Sequence, residues 1–287
     1  MRDQRSTKPR RLRELIAKRT VVLPGAFNAL SAMQIERAGF DAVYVSGAGL
    51  AAARGLPDIG LLSMTEVISD AATIANAVAI PALADADTGF GPSLSVMRTV
   101  RELERAGVSG IQIEDQDMPK KCGHLPGKRL VPRAEMVGKI KATVEARLDP
   151  DFFIVARTDA RAVEGIAAAV ERAKAYVDAG ADAIFPDALE SAEEFQTFAR
   201  QLAKTGLNVP LVANMTEFGK TPFLRVSEFE EIGYRLVLFP VTALRIAAKA
   251  IETMLTELKS AGTQHAFLER MQTRQQLYEL LRYDQYE

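Results

Sequence analysis

The amino-acid sequence predicts an α/β protein folded as a closed (β/α)8 barrel, a TIM-type barrel with extra helices at its C-terminal end. Three observations lead there. Eight short runs rich in apolar and β-branched residues recur along the chain, each followed by a turn and then a stretch of helical periodicity. The runs are nearly continuously apolar rather than alternating, as strands of a parallel sheet buried on both faces must be. Several helical stretches stop on a glycine just ahead of the next run, at Gly39, Gly107, Gly180 and Gly233, which is the left-handed cap that ends a helix. Eight such units within 287 residues suit one closed barrel better than an open doubly wound sheet.

The elements follow in order. Residues 1–19 form a basic arm (Arg2, Arg5, Lys8, Arg10, Arg11, Arg13, Lys18, Arg19) that lacks an apolar segment and contains Asp3 and Glu14. It reads as a solvated arm leading into a first helix, not as a signal or transit peptide. The barrel is expected over 20–242, with strands at 21–26, 42–46, 82–87, 110–114, 153–157, 183–186, 211–214 and 236–240. Helices are expected at 64–79, 93–105, 135–147, 164–178 and 192–203, and C-terminal helices over 243–287, the whole being a single domain. The connections 47–63 and 116–132 are longer than the rest, and long loops on a compact barrel are usually functional.

Composition narrows the function classes. With 48% apolar and 25% charged residues the chain is an ordinary globule, and no apolar run approaches the ~20 residues of a membrane span. A net charge of -1 gives no overall basic field for nucleic acid. One cysteine rules out an internal disulfide framework and suits a reducing compartment such as the cytoplasm. Ser46-Gly47-Ala48-Gly49 lacks the third glycine of a dinucleotide fingerprint, and there is no Walker-type loop.

Barrel chemistry gathers at the carboxyl ends of the strands, and the expected strand ends are polar: Ser46, Asp85 and Asp87, Glu114 and Asp115, Arg157 and Asp159, Asp187, Asn214 and Thr216. By strand alternation Asp85 and Asp87 point the same way, so their mutual repulsion calls for a cation. The alternative is that they cap a helix or pair with Arg98 and Arg101. Two distant histidines, His124 and His265, and one thiol make zinc a poor fit. Oxygen ligands favour magnesium, which takes one or two carboxylates and keeps its waters, leaving Asp58 and Glu114 to hold those waters. Cys122 lies in Lys120-Lys121-Cys122-Gly123-His124, where neighbouring cations are expected to lower its pKa toward the range of a proton donor or nucleophile. A chance loop cysteine is the plainer reading. The amides of Ser46 to Gly49 could cradle a carboxylate, although tight turns alone account for Gly47, Gly49, Gly89 and Gly91. Arg157 suits a two-pronged carboxylate clamp, or an ion pair with Asp159 or Glu114.

Taken together, DADTGFG (85–91), IEDQ (113–116), KKCGH (120–124), ARTDA (156–160) and NMTEFG (214–219), in this order, resemble the isocitrate lyase and phosphoenolpyruvate mutase superfamily. The similarity runs from about Leu23 to the C-terminal tail, and KKCGH is its specific lyase signature. Within the superfamily the chain is most similar to the 2-methylisocitrate lyases: the longer isocitrate lyases carry a tryptophan where this tryptophan-free sequence has Phe185, and Leu238 also fits.

The resemblance implies magnesium-dependent cleavage of 2-methylisocitrate to pyruvate and succinate, the carbon-carbon lyase step of the methylcitrate cycle of propionate catabolism. It implies Asp85 and Asp87 as acids of the magnesium site, with manganese as a substitute ion, and Asp58 and Glu114 reaching the ion through water. Cys122 matches the catalytic proton donor, supported by Lys120 and His124, and Tyr44 sits where a base for the hydroxyl has been considered. Substrate contacts would be Ser46, Gly47, Ala48, Gly123, Arg157, Asn214, Met215, Thr216, Arg245 and Arg274. At the pocket wall Asp187 stands where a glutamate is usual and Ala48 where a glycine is frequent, departures that bear on substrate choice. A homotetramer with the eighth helix swapped between subunits is implied, with a small di- or tricarboxylate as ligand and no nucleic-acid or membrane partner. Two rivals remain: a phosphonomutase or decarboxylase on the same barrel, whose members lack KKCGH, and a non-catalytic oligomeric binding protein touching RNA through the basic arm.

Overall fold

The computed structural model describes residues 7–287, so Arg2, Asp3 and Arg5 of the basic arm lie outside the described residues. Eight parallel strands close into a barrel in sequence order: β1 (Val21–Ala26), β2 (Val43–Val45), β3 (Ala82–Asp85), β4 (Gly110–Glu114), β5 (Phe153–Thr158), β6 (Ala183–Pro186), β7 (Leu211–Asn214) and β8 (Tyr234–Phe239). Closure is made by β1 against β8, with Leu23 opposite Leu238. Strands β2 to β6 are buried on both faces, which is why their sequence runs are continuously apolar, while Val22 and Pro24 of β1 and Phe239 of β8 are only half-buried on the outer face. One row, including Val21, Leu23, Tyr44, Leu83, Val155, Phe185, Val212 and Leu238, fills the barrel. The alternate row, including Val43, Val45, Ala84, Ile111, Ile113, Ile154, Ile184 and Val237, packs under the helices.

The helices are α1 (Lys8–Lys18), α2 (Ala29–Arg37), α3 (Gly47–Ala53), α4 (Met64–Ala77), α5 (Ser93–Arg105), α6 (Arg133–Ala146), α7 (Ala160–Glu164), α8 (Ile166–Asp178), α9 (Ala192–Lys204), α10 (Val226–Ile232), α11 (Thr242–Ala261) and α12 (Arg274–Leu280). The four glycines expected as stops all have left-handed backbones, with φ of 88° at Gly39, 91° at Gly107, 104° at Gly180 and 102° at Gly233. The helix expected over 164–178 is broken at Gly165, whose φ of 88° no helix tolerates, into α7 and α8.

From Lys8 onward the basic segment is folded and packed. Leu12 and Ile16 of α1 are buried in the cluster that fills the barrel interior. The cations of α1 are spent on carbonyls and a carboxylate: Lys8 Nζ donates to Ala75 O and Val78 O, and Arg13 to Asp151 O and Asp182. Because these partners precede β3, β5 and β6, α1 plugs the end of the barrel where the strands begin, leaving the other end for chemistry. At the far C-terminus, α11 buries none of its twenty residues, and Ile246, Ile251 and Leu255 stand exposed. Among the described residues no helix is long and apolar enough to cross a membrane.

Candidate active site

A cavity of about 240 Å³ opens at the carboxyl ends of the strands. Tyr44, Ser46, Ala48, Asp58, Asp85, Lys120, Cys122, Gly123, His124, Arg157, Asp187, Asn214, Thr216 and Arg245 all line it, with Lys121, Phe185, Leu238, Pro240 and Val241. Strands β2, β3, β5 and β7 place Tyr44, Asp85, Arg157 and Asn214 there and Asp187 follows β6, so most of the residues singled out in the sequence converge on one space, whereas Asp87 and Glu114 stand behind its surface.

Along one wall stand the acids. Asp85 ends β3, but Asp87 has already left the strand: its φ of 47° is left-handed, and its amide donates to Asp85 Oδ1 at 3.0 Å. The two carboxylates are therefore neighbours through a turn, not through strand alternation, an outcome Asp tolerates better than most residues. Lys120 lies between the acids, its Nζ paired with Asp58 and 2.7 Å from Asp87. Burial works against its charge, but Asp87, Glu114, Asp58 and Asp85 raise its pKa well above the usual lysine range. Arg98 and Arg101, the alternative partners for the acids, are exposed on α5. Burial, then repulsion by Asp87, lifts the Asp85 carboxyl to about 6. Glu114 is fully buried; burial raises its pKa well above the carboxylate range against the pull of Arg157, and its Oε1 has no hydrogen-bond partner.

The opposite wall is centred on Arg157. Its Nε is 2.9 Å from Asp159 Oδ2 and 3.3 Å from Glu114, and its Nη2 is 2.6 Å from Asp187. Asn214 Nδ2 donates to Asp187 Oδ1 at 3.1 Å, leaving Asn214 Oδ1 buried and without a partner. The ion pairs with Asp159 and Glu114 weighed from sequence are thus present, and Arg157 still faces the cavity. Asp115, next to Glu114, points outward into the helix layer, where it accepts from Thr158, Tyr176 and the Asp159 amide.

The loop carrying Cys122 forms the roof. Its thiol departs from expectation: burial pushes its pKa up, only partly offset by the hydrogen bond with the His124 backbone. The neighbouring cations do not face it, because Lys120 turns to the acids and Lys121 toward Pro126 O. A protonated thiol is what this site holds, which fits a proton donor and not a resting thiolate nucleophile. Burial lowers the His124 pKa, and its Nδ1 accepts from the Lys220 amide at 3.1 Å, so the neutral ring carries its proton on Nε2, which is buried without a hydrogen-bond partner. Tyr44 donates to Gln112 Oε1 at 2.9 Å, and burial together with Asp85 raises its pKa well above the phenol range, which suits a donor better than a base.

Two expected contacts, Gly47 and Met215, stand behind the cavity surface, and a third, Ser46, lines it with its hydroxyl already engaged. Gly47 packs so closely that a Cβ would meet Asp85 Oδ2 at 2.8 Å. Met215 is buried in the core. Ser46 Oγ caps α3 by accepting from the Gly49 amide at 3.1 Å, so it is the Gly47 and Ala48 amides that remain for a ligand. Arg274 is exposed at the start of α12, outside the cavity of its own chain, because the C-terminal segment runs off the barrel and back over α2, where Arg37 donates to Gln276 O. Gly89, with φ of 87°, serves its turn: a Cβ would strike Val96 and Ile113.

The phosphoenolpyruvate phosphomutase family profile matches residues 12–259. The chain belongs to this family. It is 53% identical over 277 residues, 96% of this chain and 88% of the other, to the 2-methylisocitrate lyase of Aeropyrum pernix. Among solved structures, 2,3-dimethylmalate lyase, described as a member of the PEP mutase/isocitrate lyase superfamily, superposes with a TM-score of 0.91 at 36% identity, covering 98% and 93% of the two chains. Phosphonopyruvate hydrolase in complex with oxalate and Mg++ superposes with a TM-score of 0.88 at 31% identity, covering 98% and 96%.

Among the described residues no three carboxylate, imidazole or thiol groups form a ready metal cage. The donor set fits an ion that needs fewer protein ligands: two adjacent aspartates, a third across Lys120, a Glu114 oxygen without a partner, and an Asp85 carboxyl raised by burial and by Asp87. Sequence reasoning missed Gln112, Lys128, Gln116 and Glu217. Gln112 interrupts the apolar strand GIQIE, a visible signal, while Gln116 clasps Lys121 from both sides at 2.8 and 2.9 Å. Glu217 receives Thr242 and lies 3.5 Å from Arg245, holding that arginine at the rim.

Proposed function

We propose that the protein is a carbon-carbon lyase cleaving 2-methylisocitrate to pyruvate and succinate. The observation that carries this is the placement of the sole thiol, whose pKa burial raises, in one cavity with Asp85 and Asp58 and with the Arg157 and Asn214 side chains, Asp87 standing just behind Asp85. The identity to 2-methylisocitrate lyases supports the substrate.

In the reaction the hydroxyl proton leaves, the bond to the neighbouring carbon breaks, a keto acid forms on one side, and the electron pair remains on a carbon beside a carboxylate. Asp85 and Asp87, with Asp58 and Glu114 through water, would hold magnesium, which when bound acidifies the hydroxyl and polarises the carbonyl that forms. The Gly47 and Ala48 amides donate to the keto-acid end, beside Tyr44, whose own proton goes to Gln112. Arg157, Asn214, Thr216 and the Nε2–H of His124 bind the carboxylates of the succinate end and stabilise charge developing there. Cys122 delivers its proton to the carbanion carbon, giving succinate, and the thiolate regains a proton from solvent, which has taken up the one released by the hydroxyl, so that protons balance over the turn. The loop over the cavity keeps water from quenching the carbanion.

A related reading takes 2,3-dimethylmalate as substrate, supported by 47% identity over 273 residues to the 2,3-dimethylmalate lyase of Eubacterium barkeri, with Asp187 at the pocket wall tying Arg157 to Asn214. A coupled pyruvate-release assay on 2-methylisocitrate, isocitrate and 2,3-dimethylmalate, with and without magnesium, decides between them. Pyruvate from the first, dependent on magnesium, is the expected result. The exposed apolar face of α11 and the groove beside it lined by Phe27, Ile35, Phe40 and Ile246 support assembly through this helix, in keeping with a homotetramer. The cytoplasm suits a free catalytic thiol.

A further inference from the structure

Beneath the Cys122 loop a lysine is buried where loop lysines are ordinarily solvated. Only 2% of the Lys128 side chain is exposed. Its ammonium donates to the Gly123 carbonyl and, at 2.9 Å, to Asp159 Oδ1. Asp159, fully buried, also takes Arg157 Nε at 2.9 Å and Nη2 at 3.2 Å, and its own amide is held by Asp115. Gly123 is gripped from the other side too: a Cβ there would lie 1.8 Å from Asp187 Oδ2 and 2.8 Å from Arg157 Nη2. The residue following the thiol is thus clasped between the Arg157–Asp187 pair and Lys128. Gly127, at φ of 77°, turns the chain so that position 128 comes back under position 123. Arg157 is shared among Asp159, Glu114 and Asp187, so Lys128 supplies Asp159 with a second cation, and the same ammonium also reaches the Gly123 carbonyl, which charge balance alone does not require.

We propose that Lys128 is a positioning residue that latches the Cys122 loop, through Asp159, to the Arg157 clamp and so sets where the thiol stands over the substrate. The latch rests on the lyase reading for its catalytic consequence, but not for its existence. With the loop bound to the clamp, loss of Lys128 displaces the proton donor while leaving the carboxylate contacts in place.

The sole thiol makes the test unambiguous. Intact protein with magnesium and pyruvate is treated with iodoacetamide, and Cys122 alkylation is followed by mass. Lys128→Met should be alkylated at least about tenfold faster than wild type. Its kcat on 2-methylisocitrate should fall by about 10²-fold with KM within about threefold, since a small misplacement of a reacting group costs on that order. Lys128→Arg, able to reach both acceptors, should return alkylation and kcat most of the way to wild type. Lys128→Gln, too short to bridge both, should behave as Lys128→Met and serves if that variant does not fold. Alkylation at the wild-type rate in Met and Gln variants overturns the proposal, as does activity lost in step with thermal stability and unrestored by arginine. Should wild type release no pyruvate from 2-methylisocitrate, the lyase reading fails while the alkylation rates still decide the latch.

Discussion

Asp85 and Asp159 are both buried carboxylates at the mouth of the barrel, yet one is pushed up to about 6 and the other held down to about 2. Burial pushes both upward. At Asp159 the adjacent Arg157 and Lys128 overcome it. At Asp85 the nearest charge is Asp87, and the single Lys120 is shared with Asp58, Asp87 and Glu114. One wall is therefore satisfied by its own residues and can hold a fixed clamp, whereas the other is short of positive charge, the condition under which a cation binds. Burial sets the stakes for a carboxylate, and its partners set the direction.

Substitutions on the two walls should accordingly differ in kind. The largest effect is expected from Asp85→Ala, which should reduce magnesium-dependent turnover to background and abolish the rise in melting temperature produced by magnesium; turnover persisting in excess chelator would remove the ion from the scheme. Asp159→Asn leaves the buried Lys128 without a carboxylate, while Arg157 keeps Asp187 and Glu114, and should destabilise the fold by about 3–5 kcal/mol in urea titration. Cys122→Ser should leave pyruvate binding nearly intact while lowering kcat by at least ~10²-fold, about 2.7 kcal/mol of barrier; unaltered turnover would refute its role.

The smallest effects sharpen the comparison most. In metal-free protein Asp85→Asn relieves repulsion and should be neutral or slightly stabilising, the reverse of Asp159→Asn. The two acids also predict opposite pH dependences. The lowered pKa of Asp159 contributes stability that is present above its unfolded value of 3.8 and is lost as the pH falls toward 2. The raised pKa of Asp85 contributes stability that is full below 3.8 and is lost as the pH rises through about 6 in the absence of metal. Magnesium, which needs the ionised form, should therefore raise the melting temperature more at pH 7 than at pH 5; an equal shift at both would mean Asp85 is not a ligand.

How much of this was legible beforehand depends on the range of the interaction concerned. Asp87 was placed beside Asp85 correctly but for the wrong reason, because a left-handed residue at a strand end leaves no mark in the residue pattern. Cys122 was read as a thiol softened by its cationic neighbours in sequence. Those neighbours face elsewhere in space, and burial wins. Asp115 looked like a mouth residue because Glu114 is one, but adjacent strand residues point to opposite faces.

Strand runs, glycine stops and the order of the motifs are local, since backbone preference and periodic burial are written into neighbouring residues, and from these the sequence alone determined the barrel, its family and most of the residues at its mouth. Which carboxylate keeps its proton, which side of the barrel Asp115 serves, where Arg274 ends up and why Lys128 is buried were decided only by the tertiary structure. These depend on dielectric burial and on charges brought together from segments far apart in the chain, as Lys128 meets Asp159 and Lys120 meets Asp58.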